Sequence, residues 1–506
     1  MVLHGFESYM THAYPWDELK PLSCEGRRWD RRERGTLDDS LGGYALTLID
    51  SLSILAVIRD LKRFRAAVLL IIRDVHFDRD VTVSVFESTI RILGGLVSSH
   101  LLILEFPSLF GEGYGGELLG LAVDLGNRLL PAYNTPTGIP VHRINLKYGV
   151  LSSEKREACT AGAGTLLIEM GTLSQLTGNS SYGNAARRAV HELWNRRSAI
   201  GLVGSTINID NGKWLQTHSG IGAGIDSFYE YLLKSYILFG DVRFLEMFRD
   251  AYKGVQEHTK WGDWNIEVSM RSGKLSPFSH RVSALQAFWP SLQVLAGDIA
   301  AAKESHKAFH GLWSQFRALP EIFDVKTKRV VHFAKDSPLR PELAESTFHL
   351  FSATGDPHYL EVGREHLYAL QNISRVDCGF ASIADVRNHR LDDRMDSFVL
   401  SETLKYLFLL FDQSLEPADQ MSLLCPRAST PTWPENERPL SPAGSYIQED
   451  GKEPLCLLPL RCLFSTEGHI FVLSSARETS VAELRKFNES QTCKTNGRYN
   501  NRRNKS

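Results

Sequence analysis

Four stretches of this 506-residue sequence read alike: QLTGNSSYGNAARRAV, ILFGDVRFLEMFRDAY, VLAGDIAAAKESHKAF and SATGDPHYLEVGREHL. Each carries a glycine followed by Asp or Asn, at Gly178, Gly240, Gly297 and Gly355, so the unit recurs every 57–62 residues. Glycine takes the left-handed conformation that ends a helix, and the next Asp or Asn can cap the helix that follows. The repeat is therefore a tight helical hairpin. The sequence AVIRDLKRF occupies the same phase with Arg59 in the glycine's place, a residue less suited to such a turn.

Between these junctions apolar residues recur at helical spacing rather than alternating. The pattern predicts helices near 4–13, 43–58, 62–74, 83–102, 115–130, 161–177, 181–197, 225–239, 242–258, 282–296, 301–316, 342–354, 357–371 and 396–412. These make seven hairpins of about 60 residues. An open solenoid and a closed ring both satisfy that count. Residues 1–412 read as the helical unit, 413–463 as an irregular Pro-rich insertion, 464–475 as a short apolar segment, and 476–506 as a polar, disordered tail.

A net charge of −2, with 43% hydrophobic and 23% charged residues, fits a globular chain and gives no footing for a nucleic-acid surface. The basic stretches Arg27–Arg34 and Arg498–Lys505 read as solvated loop and tail. No window approaches the ~18 apolar residues of a membrane helix. The opening MVLHGFESYM lacks the pattern of a signal peptide and reads as a cytosolic or truncated start. Sequons at Asn179, Asn372, Asn488 and Asn504 point the other way, toward a secretory compartment. Seven cysteines (Cys24, Cys159, Cys378, Cys425, Cys456, Cys462, Cys493) show no zinc spacing, and their odd number leaves at least one outside any intrachain pairing.

Acidic residues recur on the predicted helices beside arginines and aromatics. VSVFESTIRILGG sets Glu87 and Arg91 four apart, and GIGAGIDSFYEYLLK sets Asp226 and Glu230 four apart. PLRPELAEST places Arg340 just before a helix start, with Glu342 and Glu345 three apart; DRMDSFVLSETLKYLFLLF puts Phe398 and Glu402 on one face. Any one pair could be an ordinary surface pair or a first-turn acid favoured by the helix dipole. Glu87, Asp226 and Glu402, however, lie in strongly apolar helices, where a carboxylate is costly unless it serves a polar cavity.

These motifs, with AYPWDELKPL, LTLIDSL, CTAGAGTLLIEM and FSTEGHI, resemble those of glycoside hydrolase family 47 α-mannosidases, in family order over about 5–412 and 464–470. LKPLSC around Cys24, VDCGFA around Cys378 and LQAFWPSLQ around Trp289 resemble the degradation-enhancing branch of the endoplasmic reticulum. The resemblance implies an all-α (αα)7 barrel with its C-terminal segment plugging the barrel. It implies inverting, Ca²⁺-dependent removal of terminal α1,2-linked mannose from high-mannose N-glycans on misfolded glycoproteins, in the lumen of the endoplasmic reticulum. By position, it makes Glu87 the general acid and Asp226 and Glu342 the candidates for activating water, the choice between them open. It assigns Arg91, Arg340, Glu345, Phe398 and Glu402 to sugar binding, Thr466 to calcium through its carbonyl and hydroxyl oxygens, and Cys24 and Cys378 to a disulfide. It also implies a disulfide isomerase-type oxidoreductase as a partner.

The chemistry suits the residue types. Inversion needs one acid and one base on opposite faces of the sugar, and calcium prefers oxygen ligands. The chain departs from the family where D-A-L-D-T-L becomes Asp50-Ser51-Leu52-Ser53-Ile54-Leu55, losing an acid and a threonine. A mannose-binding lectin or degradation adaptor would share the same cleft. A lectin could lose Glu87 or Glu342 without penalty, and their presence favours the enzyme.

Overall fold

The computed structural model describes residues 1–29, 39–275, 279–415 and 462–473. Most of the expected insertion 413–463, the whole tail 476–506, the sequons at Asn488 and Asn504, and Cys425, Cys456 and Cys493 lie outside the described residues. Fourteen principal helices follow in order among those described: α1 (Val2–His12), α2 (Leu52–Val57), α3 (Leu61–Asp74), α4 (Val85–Glu105), α5 (Glu117–Leu129), α6 (Leu167–Thr177), α7 (Ser181–Trp194), α8 (Asp226–Phe239), α9 (Val242–His258), α10 (Trp289–Leu295), α11 (Ile299–Phe316), α12 (Glu342–Thr354), α13 (His358–Ala369) and α14 (Lys405–Asp412).

Burial sorts them into two layers. In α8 every residue from Ser227 to Leu238 is buried, whereas α9 buries only a stripe that includes Phe244, Phe248, Ala251 and Val255. The inner layer is α2, α4, α6, α8, α10, α12 and α14. Neighbours touch in that order, with Tyr229 of α8 meeting Trp289 of α10 at 6.1 Å between ring centroids. The turn Val399–Leu404 before α14 packs back on α2, and α1 covers that turn from outside. The ring closes, and the open solenoid is excluded. Six hairpins are sequential, α2–α3 through α12–α13; the seventh pair joins the first helix of the chain to its last.

The junctions have the conformation their sequence demands. Gly178, Gly240, Gly297 and Gly355 stand at φ +73°, +73°, +83° and +66°. Asn179, Asp241, Asp298 and Asp356 then accept backbone N–H bonds at the start of the next helix. Arg59 makes the same turn at φ +55°, with Asp60 accepting from Arg63 N at 3.0 Å. At the opposite end of the ring, short antiparallel strands precede the inner helices. Thr82–Ser84 pairs with Arg143–Asn145 before α4, Glu157–Cys159 with Thr206–Asn208 before α6, and Arg281–Ser283 with Ile322–Asp324 before α10. Strands of three residues carry too little alternation to be read from sequence, so the predicted helices 83–102 and 282–296 begin a few residues late. The predicted helix 43–58 is shortened and split into Leu46–Asp50 and Leu52–Val57, because Ala45 enters at φ +55°.

One sequence expectation needs correction. Helix α4 is 21 residues long with a mean hydropathy of 1.2, long and apolar enough to cross a bilayer, contrary to the reading that no window approaches that length. It is instead an inner wall of the barrel, 78% buried and carrying Glu87 and Arg91. Its apolarity comes from facing protein on every side.

The barrel axis is filled by a hairpin of Cys462–Phe464 against Ile470–Val472, two residues earlier than the expected start at 464. Ser98 of α4 exchanges bonds with the carbonyl and N–H of Ile470 at 2.8 and 3.0 Å, and Phe464 packs on Phe348, His349 and Tyr406. The hairpin comes so close to α4 that a Cβ on Gly94 would stand 2.9 Å from the His469 ring. Cys24 and Cys378 form the expected disulfide, Cα atoms 5.6 Å apart across 354 residues of sequence. Cys159 is a free thiol.

Candidate active site

The inner helices begin at the strand-bearing end, and there they deliver the acids. Glu87 sits in the first turn of α4, Asp226 opens α8 and Glu342 opens α12. Two π-helical turns re-aim side chains within otherwise regular helices: Ser88–Leu93 carries Arg91, and Val399–Leu404 carries Glu402.

Phe398 is the hub. The Arg91 guanidinium lies 5.8 Å from its ring centroid and that of Arg340 5.9 Å. Arg91 Nε donates to Glu87 Oε2 at 2.9 Å, while its Nη1 pairs with Glu467 on the axial hairpin. Arg340 forms a two-point pair with Glu321, from the segment preceding the Ile322–Asp324 strand. Asp226 and Glu342 lie within each other's field and that of Arg340, and Cys159 within the fields of both Asp226 and Glu87. Glu402 feels Glu467, Arg91 and Glu342. These interactions gather Glu87, Arg91, Asp226, Arg340, Glu342, Phe398 and Glu402 into one cluster. Glu345, one turn deeper in α12, is directed to Ser291 and to the Lys234–Glu230 ion pair.

Burial dominates the electrostatics. It pushes Asp226 up to about 7, against the N–H of Ser227, and Glu342 up to about 7, against the nearby Arg340. It raises Glu345 and Glu467 to about 8 and Glu402 well above the usual carboxylate range, the last two also through their mutual repulsion with neighbouring acids. Arg91, although burial works against its charge, is held firmly ionised by Glu467, Glu87, Asp50 and Glu402.

The hairpin tip is a turn, Ser465 to His469. Its residues are buried apart from Thr466, which is partly open. The Thr466 N–H meets the Tyr231 hydroxyl at 3.4 Å, and that hydroxyl donates to Glu169 Oε1 at 2.6 Å. Glu467 and Gly468 of this tip lie against Glu402. Sequence reasoning assigned no role to Glu467, Glu169, Tyr231, Asp50 or Lys405. Glu467 could have been found from its place beside Thr466, and Glu169 and Lys405 from being lone charges in apolar helices.

Among the described residues no three carboxylate, imidazole or thiol side chains converge closely enough to hold a metal by themselves. The donor set nevertheless fits an oxygen-seeking cation. Thr466 offers two oxygens, Glu402 and Glu467 bring negative charge to the same turn, and the buried Glu169 Oε2 has no hydrogen-bond partner.

The inner helices of a closed double ring thus carry acids, and a phenylalanine flanked by two arginines, toward the barrel axis. The profile of glycosyl hydrolase family 47 matches residues 1–423. "Alpha-mannosidase I MNS4" of Arabidopsis thaliana is 47% identical over 418 residues, covering 82% of this chain and 65% of that protein. Human "ER degradation-enhancing alpha-mannosidase-like protein 3" is 47% identical over 417 residues, 81% of this chain and 44% of that one. Among solved structures, an alpha-1,2-mannosidase from Trichoderma reesei superposes with a TM-score of 0.75 at 23% identity, covering 94% of this chain and 97% of that one, a likeness of fold. The chain belongs to glycosyl hydrolase family 47, and its fold is the (αα)7 barrel. It spans less than two thirds of the length of the plant and human relatives just named.

Proposed function

We propose that the protein is an inverting, calcium-dependent α-mannosidase that removes terminal α1,2-linked mannose from high-mannose N-glycans. The observation that carries this reading is the gathering of Glu87, Asp226 and Glu342 around the cluster of Phe398 with Arg91 and Arg340. A ring of the sugar would lie on Phe398, as aromatic faces favour. Arg91 holds one oxygen of Glu87 and leaves the other for the departing glycosidic oxygen, so Glu87 serves as general acid. Asp226 and Glu342 are the carboxylates available to activate water on the opposite face, each needing to shed its proton near neutral pH. Arg340 and Glu402 bind hydroxyls, with Glu345 backing them through the deeper ion-pair layer. Calcium, when bound, supplies a hard cation to sugar hydroxyls. Thr466 would hold it through its carbonyl and hydroxyl oxygens, Glu402 and Glu467 balancing its charge.

The name of the human relative, an ER degradation-enhancing alpha-mannosidase-like protein, supports a place in the disposal of misfolded glycoproteins in the endoplasmic reticulum. So do the disulfide and the exposed sequon residues Asn179 and Asn372. A disulfide isomerase-type oxidoreductase is the partner that such a bond calls for. The deciding experiment incubates the protein with a nine-mannose N-glycan, with and without a calcium chelator, and follows the released anomer by proton NMR. Release of β-mannose that stops on chelation is expected. Binding without turnover would replace this reading with that of a lectin.

A further inference from the structure

Lys405 is a lysine with none of its surface in contact with solvent, at the start of α14 and directly after the π-helical turn that carries Glu402. A buried ammonium is expensive unless its position does something an apolar residue cannot. Its Nζ donates to Ser53 Oγ on α2 at 3.0 Å and to the carbonyl of Gly468 on the axial hairpin. Gly468 stands at φ +64°, and a Cβ there would lie 3.0 Å from Nζ and 3.1 Å from Glu402 Cγ. The turn is thus pressed directly onto the lysine. On its other sides Arg91 grips Glu467, Tyr231 meets the Thr466 N–H, and His469 Nε2 lies 3.3 Å from Asp50 Oδ1.

Lys405 holds the turn by a main-chain carbonyl, at the glycine that takes the left-handed conformation. Within itself the turn is stitched by the Ser465 hydroxyl, which accepts the N–H groups of Glu467 and His469. Ser53, where the resembled family carries an acid, gives the ammonium a neutral oxygen; the Gly468 carbonyl accepts from the same Nζ, and Glu402 lies within its field. We propose that Lys405 is a positioning residue: by clamping the Gly468 carbonyl it fixes the Ser465–His469 turn, and with it the orientation of Thr466 and Glu467 toward the cavity. This rests on the assignment of Thr466 to calcium only in what the turn is for; the clamp itself is independent of that assignment.

The test is amide hydrogen exchange on the calcium-free protein, with calorimetric calcium binding as a second arm. In Lys405→Met, exchange across 465–470 is expected to speed up about tenfold or more while α6 and α8 keep wild-type protection, since a lost charged hydrogen bond opens only the segment it held. Calcium affinity is expected to fall by a similar factor, about tenfold. Gly468→Ala displaces the same carbonyl, so the two effects on exchange should be non-additive in the double variant. Wild-type protection at 465–470 in Lys405→Met, acceleration spread evenly through the inner ring, or additive effects in the double variant would each overturn the proposal. If Lys405→Met leaves no folded barrel, Lys405→Gln carries the exchange measurement with the same criteria. A wild-type protein that binds no calcium would end the calcium assignment, while the exchange arm still decides the clamp.

Discussion

Arg91 and Glu467 lie 376 residues apart in sequence and form an ion pair at the centre of the barrel. The same guanidinium holds Glu87, so the candidate acid on the wall and the turn on the axis share one cation. Loss of the turn would therefore be felt at the acid.

Replacing Glu87 by glutamine should lower kcat by about 10²–10⁴-fold, the usual contribution of a general acid, while leaving glycan binding nearly unchanged. Mannose release and calorimetry on the same glycan check this. A turnover within tenfold of wild type would move the acid elsewhere. Asp226→Asn and Glu342→Gln, measured alongside, separate the two candidates for the base: the true base should resist rescue by a substrate with a good leaving group.

Reducing the Cys24–Cys378 bond should destabilise the protein by about 2–5 kcal/mol, because it closes a loop across almost the whole barrel. The melting temperature of Cys378→Ser, compared with wild type in the absence of reductant, reads this directly. The bond also ties the Glu18–Lys20 strand to the ring, and Glu18 accepts the Ser397 N–H beside Phe398. Sugar affinity should therefore fall with the melting temperature.

Arg59→Gly should stabilise the protein by about 0.5–1 kcal/mol. An L-residue pays roughly 1–2 kcal/mol in the left-handed region, part of which glycine returns as entropy in the unfolded chain. Chemical denaturation decides the sign. The Asp60 cap is untouched by the substitution, so a loss of stability would mean that the Arg59 side chain contributes more than its backbone costs.

The pH dependence of the calcium-free protein follows from two opposed sets of groups. Asp226 and Glu342 at about 7 and Glu345 and Glu467 at about 8 sit above their unfolded values. The folded state therefore binds more protons, and the stability these groups lend is lost as pH rises through 7 to 8. His306 and His366 at about 3, and His349 at about 4, are depressed by burial; they favour the fold above their unfolded value near 6.5 and withdraw that support as pH falls below it. In chelator, the melting temperature should climb as pH is lowered from about 8.5 to 6.5, then climb more gently and level off near pH 5, where the three histidines offset most of what the four acids add. A melting temperature that falls as pH is lowered from about 8.5 to 6.5 would refute the acid half of this account.

Much of the architecture could be read from the chain because its information is local. Each Gly-Asp or Gly-Asn junction specifies its own turn, and each helix its own apolar stripe. Closure of the ring was not local. It depends on α1 meeting Val399–Leu404, a contact of residues some 390 positions apart that no periodicity encodes. The same holds at the site. Glu87 and Arg91 announce themselves by their spacing within one helix, whereas Glu169, Tyr231 and Lys405 matter only because the hairpin tip arrives against them. The π-turns were invisible for a different reason: inserting one residue into a helical turn changes where Arg91 and Glu402 point without changing the pattern of apolar residues.

The hairpin on the axis also orders events in time. Synthesis delivers the chain from its N-terminus at about 5–20 residues per second, so Val2–His12 emerges long before the helix it must cover. A nascent chain that has exposed only its first 415 residues can build every wall of the ring. It still lacks Thr466, Glu467 and the clamp on Gly468, and so has a mouth without a floor. The floor of the cleft therefore waits for residues 462–472, which are made only after the last wall helix, Lys405–Asp412, is complete.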